Sequence, residues 1–229
     1  DGDGESDRSW DLCDPSYDVS EADVTMVGTP AHSQGGFGLN VKNAGDIDGD
    51  GLDDVYAFHF TPHRALFFLS TSFQNTSTLG DANFDYELFS NSNGINNLGS
   101  RMASVGDIDA DGLSETLIAA TASFNGVTPT LFLVLGSSFD PTNPSQAIQD
   151  VGIAFNPEGF GENSDYSVGP AGDVDGDGVP DFLIGVQSED GKVYLFLGAS
   201  VDTTQTEIDL SSADYMFIGS SLEEAGASV

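Results

Sequence analysis

Residues 46–54 read Asp46-Ile47-Asp48-Gly49-Asp50-Gly51-Leu52-Asp53-Asp54, and the chain writes the pattern again as DIDADGLSE from Asp107 to Glu115 and as DVDGDGVPD from Asp173 to Asp181. Each copy has the form D-x-D-x-D-G-x-x-[DE]. Carboxylates at loop positions 1, 3 and 5 fold inward onto one point, and an all-oxygen point of this kind suits a hard cation. The side-chain candidates are Asp46, Asp48 and Asp50, then Asp107, Asp109 and Asp111, then Asp173, Asp175 and Asp177. Position 6 is Gly51, Gly112 and Gly178, the residue type that takes a left-handed turn without steric cost. Position 7 (Leu52, Leu113, Val179) would offer a backbone carbonyl, and position 9 (Asp54, Glu115, Asp181) would close the shell. Flexible coordination by six or more oxygens favours Ca²⁺ over Mg²⁺, which demands a tight octahedron and keeps its waters.

An EF-hand opens with the same letters but needs an acidic ligand at position 12 on a helix. Position 12 here is Ala57, Ile118 and Ile184, none of which can bind a metal. The segments after the loops, Val55–Phe58, Thr116–Ala120 and Phe182–Val186, are short apolar runs bounded by turn residues, and they read as buried strands. The plain alternative for a single copy is an Asp/Gly-rich hairpin turn without an ion; three copies in register argue for a shared architecture.

A chain of 229 residues with 38% hydrophobic content and 16 Phe can bury a core. Five basic residues against 38 acidic leave a net charge of −33, which repels nucleic acid and anionic membranes and leaves cations as the natural small partners. Cys13 is the single cysteine, so no intrachain disulfide can form. The sequence holds no apolar run long enough for a spanning helix and no basic n-region with an apolar core, so neither membrane insertion nor a retained signal peptide is expected. Dependence on abundant calcium favours an extracellular or cell-surface setting.

Residues 1–20 differ from the rest. DGDGESD places Asp1, Asp3, Gly4 and Asp7 on loop positions 3, 5, 6 and 9 with the first position missing, which suggests an acidic linker or a partial calcium loop. The repeat occupies residues 21–229. Its two ends match: Ala22-Asp23-Val24-Thr25-Met26-Val27-Gly28 aligns with Ala213-Asp214-Tyr215-Met216-Phe217-Ile218-Gly219, and Phe37-Gly38-Leu39-Asn40-Val41 with Ala225-Gly226-Ala227-Ser228-Val229. The loops begin at residues 46, 107 and 173, spacings of 61 and 66, longer than a solenoid rung and right for a four-stranded sheet.

Within each repeat the expected strand one is Leu39–Ala44, Arg101–Val105 and Tyr166–Ala171, with strand two directly after the loop. Strand three is Ala65–Leu69, Thr130–Leu135 and Lys192–Leu197. Strand four is Tyr86–Phe89, Val151–Phe155 and Tyr215–Ile218, with Val24–Val27 as an orphan counterpart. No helix is required. The expected fold class is all-β, with propeller-type blades of four antiparallel strands.

Gly38 through Gly45 followed by DIDGDGLDD, Gly99 through Gly106 followed by DIDADGLSE, and VGPAGDVDGDGVPDFLIGV followed by Val193–Gly198 resemble FG-GAP repeats, the blades of the integrin α-subunit β-propeller. The resemblance covers residues 22–229 and implies Ca²⁺ in the hairpin between strands one and two of each blade and a history in cell-surface adhesion. The Phe-Gly signature stands as Phe37-Gly38, becomes Leu98-Gly99 and Ala225-Gly226 elsewhere, and in the third repeat Phe160-Gly161 sits several residues early.

Other chemistry is sparse. His59 and His63 are spaced i, i+4, but Pro62 forbids the helix that would align them, and His32 stands apart, so ordinary loops are expected. There is no G-x-S-x-G elbow and no nucleotide-binding glycine run. Asn75-Thr76-Ser77 is a glycosylation sequon. Two functional classes follow: a non-enzymatic, calcium-stiffened extracellular adhesion module, or a polysaccharide-binding or polysaccharide-degrading propeller. Closed propellers need about four blades or more, so three repeats lead us to expect partners of the same fold, either further sequence of a longer parent or head-to-tail copies. A surface protein or glycan is a further expected partner. The orphan strand Val24–Val27 and the hairpin from Tyr215 to Val229 are expected to present unpaired edges.

Overall fold

The structure, a computed structural model, describes residues 22–28, 36–74, 76–91, 95–122, 131–156, 165–187, 191–219, 226 and 228–229. The expectations for residues 1–20, Cys13, His32, Asn75 and Phe160-Gly161 fall outside these. Among the described residues no helix is long and apolar enough to cross a membrane.

The fold is all-β. A short strand β1 (Thr25–Val27) precedes the first repeat, which comprises β2 (Phe37–Gly45), β3 (Asp54–His59), β4 (Arg64–Phe68), β5 (Thr78–Gly80) and β6 (Tyr86–Phe89). The second repeat comprises β7 (Ile95–Gly106), β8 (Glu115–Ala122), β9 (Leu131–Val134), β10 (Ser145–Ala147) and β11 (Gly152–Asn156). The third comprises β12 (Asp165–Gly172), β13 (Asp181–Gln187), β14 (Lys192–Phe196), β15 (Glu207–Asp209) and β16 (Tyr215–Ile218).

Each repeat builds one antiparallel four-stranded blade, in the orders β6-β4-β3-β2, β11-β9-β8-β7 and β16-β14-β13-β12. The loop-bearing hairpin always lies between the first two strands of the blade. Strand one runs longer than expected in every repeat, most of all in β7, where the register shifts between Asn96 and Arg101 and again between Ser104 and Gly106.

The middle strands of the second blade are apolar on both faces because that blade is sandwiched between the other two. In β8 and β9, Ile118, Phe132 and Val134 point into a core shared with Tyr56, Phe58, Phe67, Tyr86 and Leu88 of the first repeat. Their neighbours Leu117, Ala119, Leu131 and Leu133 point the other way, into a core shared with Phe182, Ile184, Tyr194 and Phe196 of the third. The period-2 alternation of a strand thus serves two cores at once, which is why these segments read as continuous hydrophobic runs. A third, smaller core on the far face of the first blade joins Ala57, Leu66, Phe68 and Leu79 to Val24 and Met26.

Three expectations need correction. A one-turn helix α1 (Ile148–Val151) exists, and it takes Val151 out of the expected fourth strand; buried Ile148 is driven into the core between the first two blades, and Gln149 Nε2 reaches back to Ser90 Oγ at 2.8 Å. Short 3₁₀ turns also follow strand three of each repeat, at Ser70–Phe73, Gly136–Ser138 and Gly198–Ser200. The orphan segment Val24–Val27 does not leave both edges open, because β1 pairs in parallel with β5.

That pairing belongs to a general rule the strand reading missed. A three-residue strand from each repeat adds in parallel to the fourth strand of the preceding unit: β5 to β1, β10 to β6, and β15 to β11. Blades one and two are therefore five strands wide, and each is stitched by backbone hydrogen bonds to its successor.

Candidate metal centres

Each acidic loop is a turn tied together by its own carboxylates. In the first, Asp46 accepts from the N–H groups of Gly49 (2.7 Å) and Gly51 (2.9 Å), Asp48 from Asp50 (3.1 Å), and Asp50 from Leu52 (2.8 Å). The third loop repeats this: Asp173 accepts from Gly176 (2.7 Å) and Gly178 (3.0 Å), Asp175 from Asp177 (3.1 Å), and Asp177 from Val179 (2.8 Å). In the second, Asp107 accepts from Asp111 (3.1 Å) and Gly112 (3.0 Å), Asp109 from Asp111 (3.2 Å), and Asp111 from Leu113 (2.8 Å). The glycine at position 6 permits the wrap: Gly51, Gly112 and Gly178 have φ of +86°, +93° and +92°, and a Cβ at any of them would meet nothing within 4 Å, so the backbone conformation and not crowding calls for glycine.

The loops bring together Asp46, Asp48 and Asp50; Asp107, Asp109 and Glu115; and Asp173, Asp175 and Asp181, each set offering carboxylate oxygens within 4.8 Å of one another. Each of these three groups could hold a metal ion, and none is shared between loops. Asp54, Asp111 and Asp177 sit on the same loops outside these triads. Of the position 7 residues, Leu52 is exposed, while Val179 packs against the core between blades two and three.

Position 9 does more than close a shell. Asp54, Glu115 and Asp181 are buried at the first residue of strand two, and each carboxylate clamps two backbone N–H groups. One is at loop position 2: Ile47 (3.0 Å), Ile108 (2.6 Å) and Val174 (2.6 Å). The other opens the 3₁₀ turn after strand three: Ser70 (2.7 Å), Gly136 (3.4 Å) and Gly198 (2.9 Å). Burial, with the neighbouring loop aspartates adding repulsion, pushes the Glu115 carboxyl up to about 7 and that of Asp54 up to about 6. Asp48 and Asp109 are also raised, chiefly by burial, with like charges at Asp50 and Asp46, and at Asp111 and Asp107, working in the same direction.

Sequence reasoning missed Ser70, whose hydroxyl donates to Asp50 Oδ2 at 2.6 Å. A signal existed: Ser70, Gly136 and Gly198 each follow a leucine that stands directly after strand three. It also missed a second clamp, in which Asp85 accepts from Leu69 N–H and Ser72 Oγ, and Asp214 accepts from Leu197 N–H and Ser200 Oγ. Adjacent loops touch one another, with Ser114 N–H donating to the Asp46 carbonyl at 2.7 Å.

The histidines lie elsewhere. His59 ends β3 at the opposite end of the strand from the loop, buried, with Nε2 3.5 Å from Asp81 Oδ2. With Arg64, Glu87, Pro62 and Phe84 it lines a cavity of about 170 Å³. That is below the ~300 Å³ where small-molecule sites begin. The charges there are also committed, since Arg64 pairs with Glu87 and Ser145 Oγ donates to Glu87 Oε2 at 2.8 Å.

A comparison with curated proteins finds no match. Among protein families, residues 165–196, which run from the start of β12 through the third acidic loop to the end of β14, match the FG-GAP repeat, so this part of the third blade is similar to a repeat of that kind.

Proposed function

We propose that the chain is a calcium-binding structural module of the extracellular or cell-surface environment, in which Ca²⁺ stiffens propeller blades for protein–protein contact and no reaction is catalysed. The observation that carries this reading is the threefold recurrence of one loop geometry, with an oxygen-only donor set and a buried position 9 carboxylate anchoring the loop to its own blade. Without an ion, four acidic groups crowd each loop, and burial already holds Asp54 and Glu115 toward their protonated forms. A divalent cation offsets that repulsion.

The residues that would hold it are Asp46, Asp48, Asp50 and Asp54 with the Leu52 carbonyl; Asp107, Asp109, Asp111 and Glu115 with that of Leu113; and Asp173, Asp175, Asp177 and Asp181 with that of Val179. The FG-GAP match in the third blade supports an interaction role and an extracellular setting. Calorimetry with Ca²⁺ and with chelator tests the proposal. Extracellular calcium modules bind with Kd of roughly 10⁻⁴ to 10⁻³ M, and calcium at a hundred times Kd adds ~2.7 kcal/mol per site. A melting temperature unchanged by chelation would falsify the metal reading.

A further inference from the structure

The fourth strand of a blade is buried twice and open once. Tyr86 and Leu88 in β6 are 6% and 0% exposed, and Ile153 and Phe155 in β11 are 5% and 1% exposed. Their counterparts in β16 are Tyr215 and Phe217, each 56% exposed, flanked by Met216 at 49% and Ile218 at 60%. The correspondence rests on structure, because Asp214 clamps Leu197 and Ser200 just as Asp85 clamps Leu69 and Ser72 one residue before each strand. On its inner side β16 pairs with β14; among the described residues no strand covers its outer edge. Tyr215 and Phe217 are register partners of Leu195 and Val193, and together they form the face that in the first two blades packs on the next blade.

The complementary surface is at the other end of the molecule. The far face of the first blade presents Ala57, Leu66 and Phe68, which pack with Leu79 of β5 against Val24 and Met26 of the β1 segment, β1 and β5 forming a two-stranded sheet. Strand β1 belongs to the segment Ala22–Gly28, which aligns residue for residue with Ala213–Gly219. Its pairing with β5 follows the internal handover: Thr25 N–H donates to the Ser77 carbonyl as Glu87 donates to Pro144 and Ala154 to Thr206. Thus β1 stands where the fourth strand of a preceding blade would stand, without the other three strands of such a blade among the described residues.

We propose that β16 of one copy displaces β1 from the first blade of a second copy, joining the two head to tail. Phe217 then takes the place of Met26 opposite Leu79, with Met216 opposite Thr78 and Ile218 opposite Gly80, and the Tyr215–Phe217 face packs on the apolar cluster that Val24 and Met26 now meet. The larger, more apolar strand, carried by a complete blade, replaces the smaller one. Such a contact is heterologous and continues to a ring or a filament. This inference names the partner for the assembly role proposed above and rests on that reading.

Sedimentation and native mass spectrometry of the full chain in saturating Ca²⁺ should show concentration-dependent oligomers. Phe217→Lys should reduce them to monomer while leaving circular dichroism and melting unchanged, since the side chain is exposed. Thr25→Cys with Thr78→Cys, in a Cys13→Ser background, should lock β1 on β5 when oxidised and abolish association, with recovery on reduction. Mixing the Phe217→Lys chain with the oxidised, locked chain should restore a dimer, because each retains one competent end. Monomer at all concentrations, association indifferent to Phe217→Lys, or association that persists with β1 locked would each overturn the proposal. A calcium-dependent melting shift in those same samples keeps failure here distinct from failure of the metal reading.

Discussion

At the scale of single residues, the loops combine backbone strain with buried charge. Gly51→Ala should cost about 1–2 kcal/mol, the penalty for placing an L-residue in the left-handed region, and Gly51→Asn should cost less, since the short polar side chain of asparagine hydrogen-bonds locally in that region and no neighbour crowds the site. Gly136→Ala should also be costly, by about 1–3 kcal/mol through overpacking, although its φ is ordinary, because a Cβ there would collide with Leu113. Denaturant unfolding of the three variants separates the two mechanisms. The buried carboxylates set a pH dependence whose sign is opposite to the usual one for acids. Glu115 is raised from 4.5 to about 7 and Asp54 from 3.8 to about 6, so the metal-free folded chain binds more protons than the unfolded chain between those values. By linkage its stability falls as pH rises through that window. Melting scans in chelator from pH 4.5 to 7.5 should decline, whereas scans in calcium should decline less or rise, because the metal takes only the deprotonated loop.

At the scale of elements, the same strand position has different energetic weight in different blades. Leu88→Ala in β6 should destabilise by about 2–5 kcal/mol, the range for a buried leucine that leaves a cavity. Phe217→Ala in β16, at the corresponding place, should stay within about 0.5 kcal/mol for the monomer, since the ring is mostly exposed. Urea midpoints of the two single variants at low protein concentration check the contrast. The loops are elements too: each acidic triad is confined to one hairpin, so Asp50→Ala should remove one bound ion and leave two. Simultaneous loss of all bound metal, counted by native mass spectrometry, would point to a shared cluster instead.

For the whole molecule, charge is the dominant fact. A net charge of −33 opposes compaction, and three divalent ions would lower it only to −27. Monovalent salt should therefore raise the melting temperature even with the loops empty. Screening becomes effective near 0.1 M, where the Debye length is about 10 Å. Calcium should act at far lower concentration, because it binds in the loops and does not merely screen. Equal effects of sodium and calcium at matched ionic strength would remove the case for specific sites.

Local chemistry was enough to read the hairpins. Position 6 glycines, alternating aspartates and the apolar runs beginning at Val55, Thr116 and Phe182 specify turn and strand from neighbours a few residues apart, and the repeat spacing implied stacked four-stranded sheets. The short strands β5, β10 and β15 stayed hidden because three residues such as Ser145-Gln146-Ala147 carry no periodicity; what makes them strands is the fourth strand of another repeat, and that pairing exists only in the folded chain. The helix α1 escaped for the same reason, since Ile148 gains its core position between two blades from tertiary packing. Asp54, Glu115 and Asp181 could be picked out from sequence as possible ligands. Their second role, clamping the turn after strand three, spans residues far apart in the chain and needed the fold to bring them together. An unpaired edge at Tyr215–Ile218 was expected from the repeat pattern, but the exposure of its side chains was not readable, because the strand is as apolar as its buried counterparts and differs only in what lies against it.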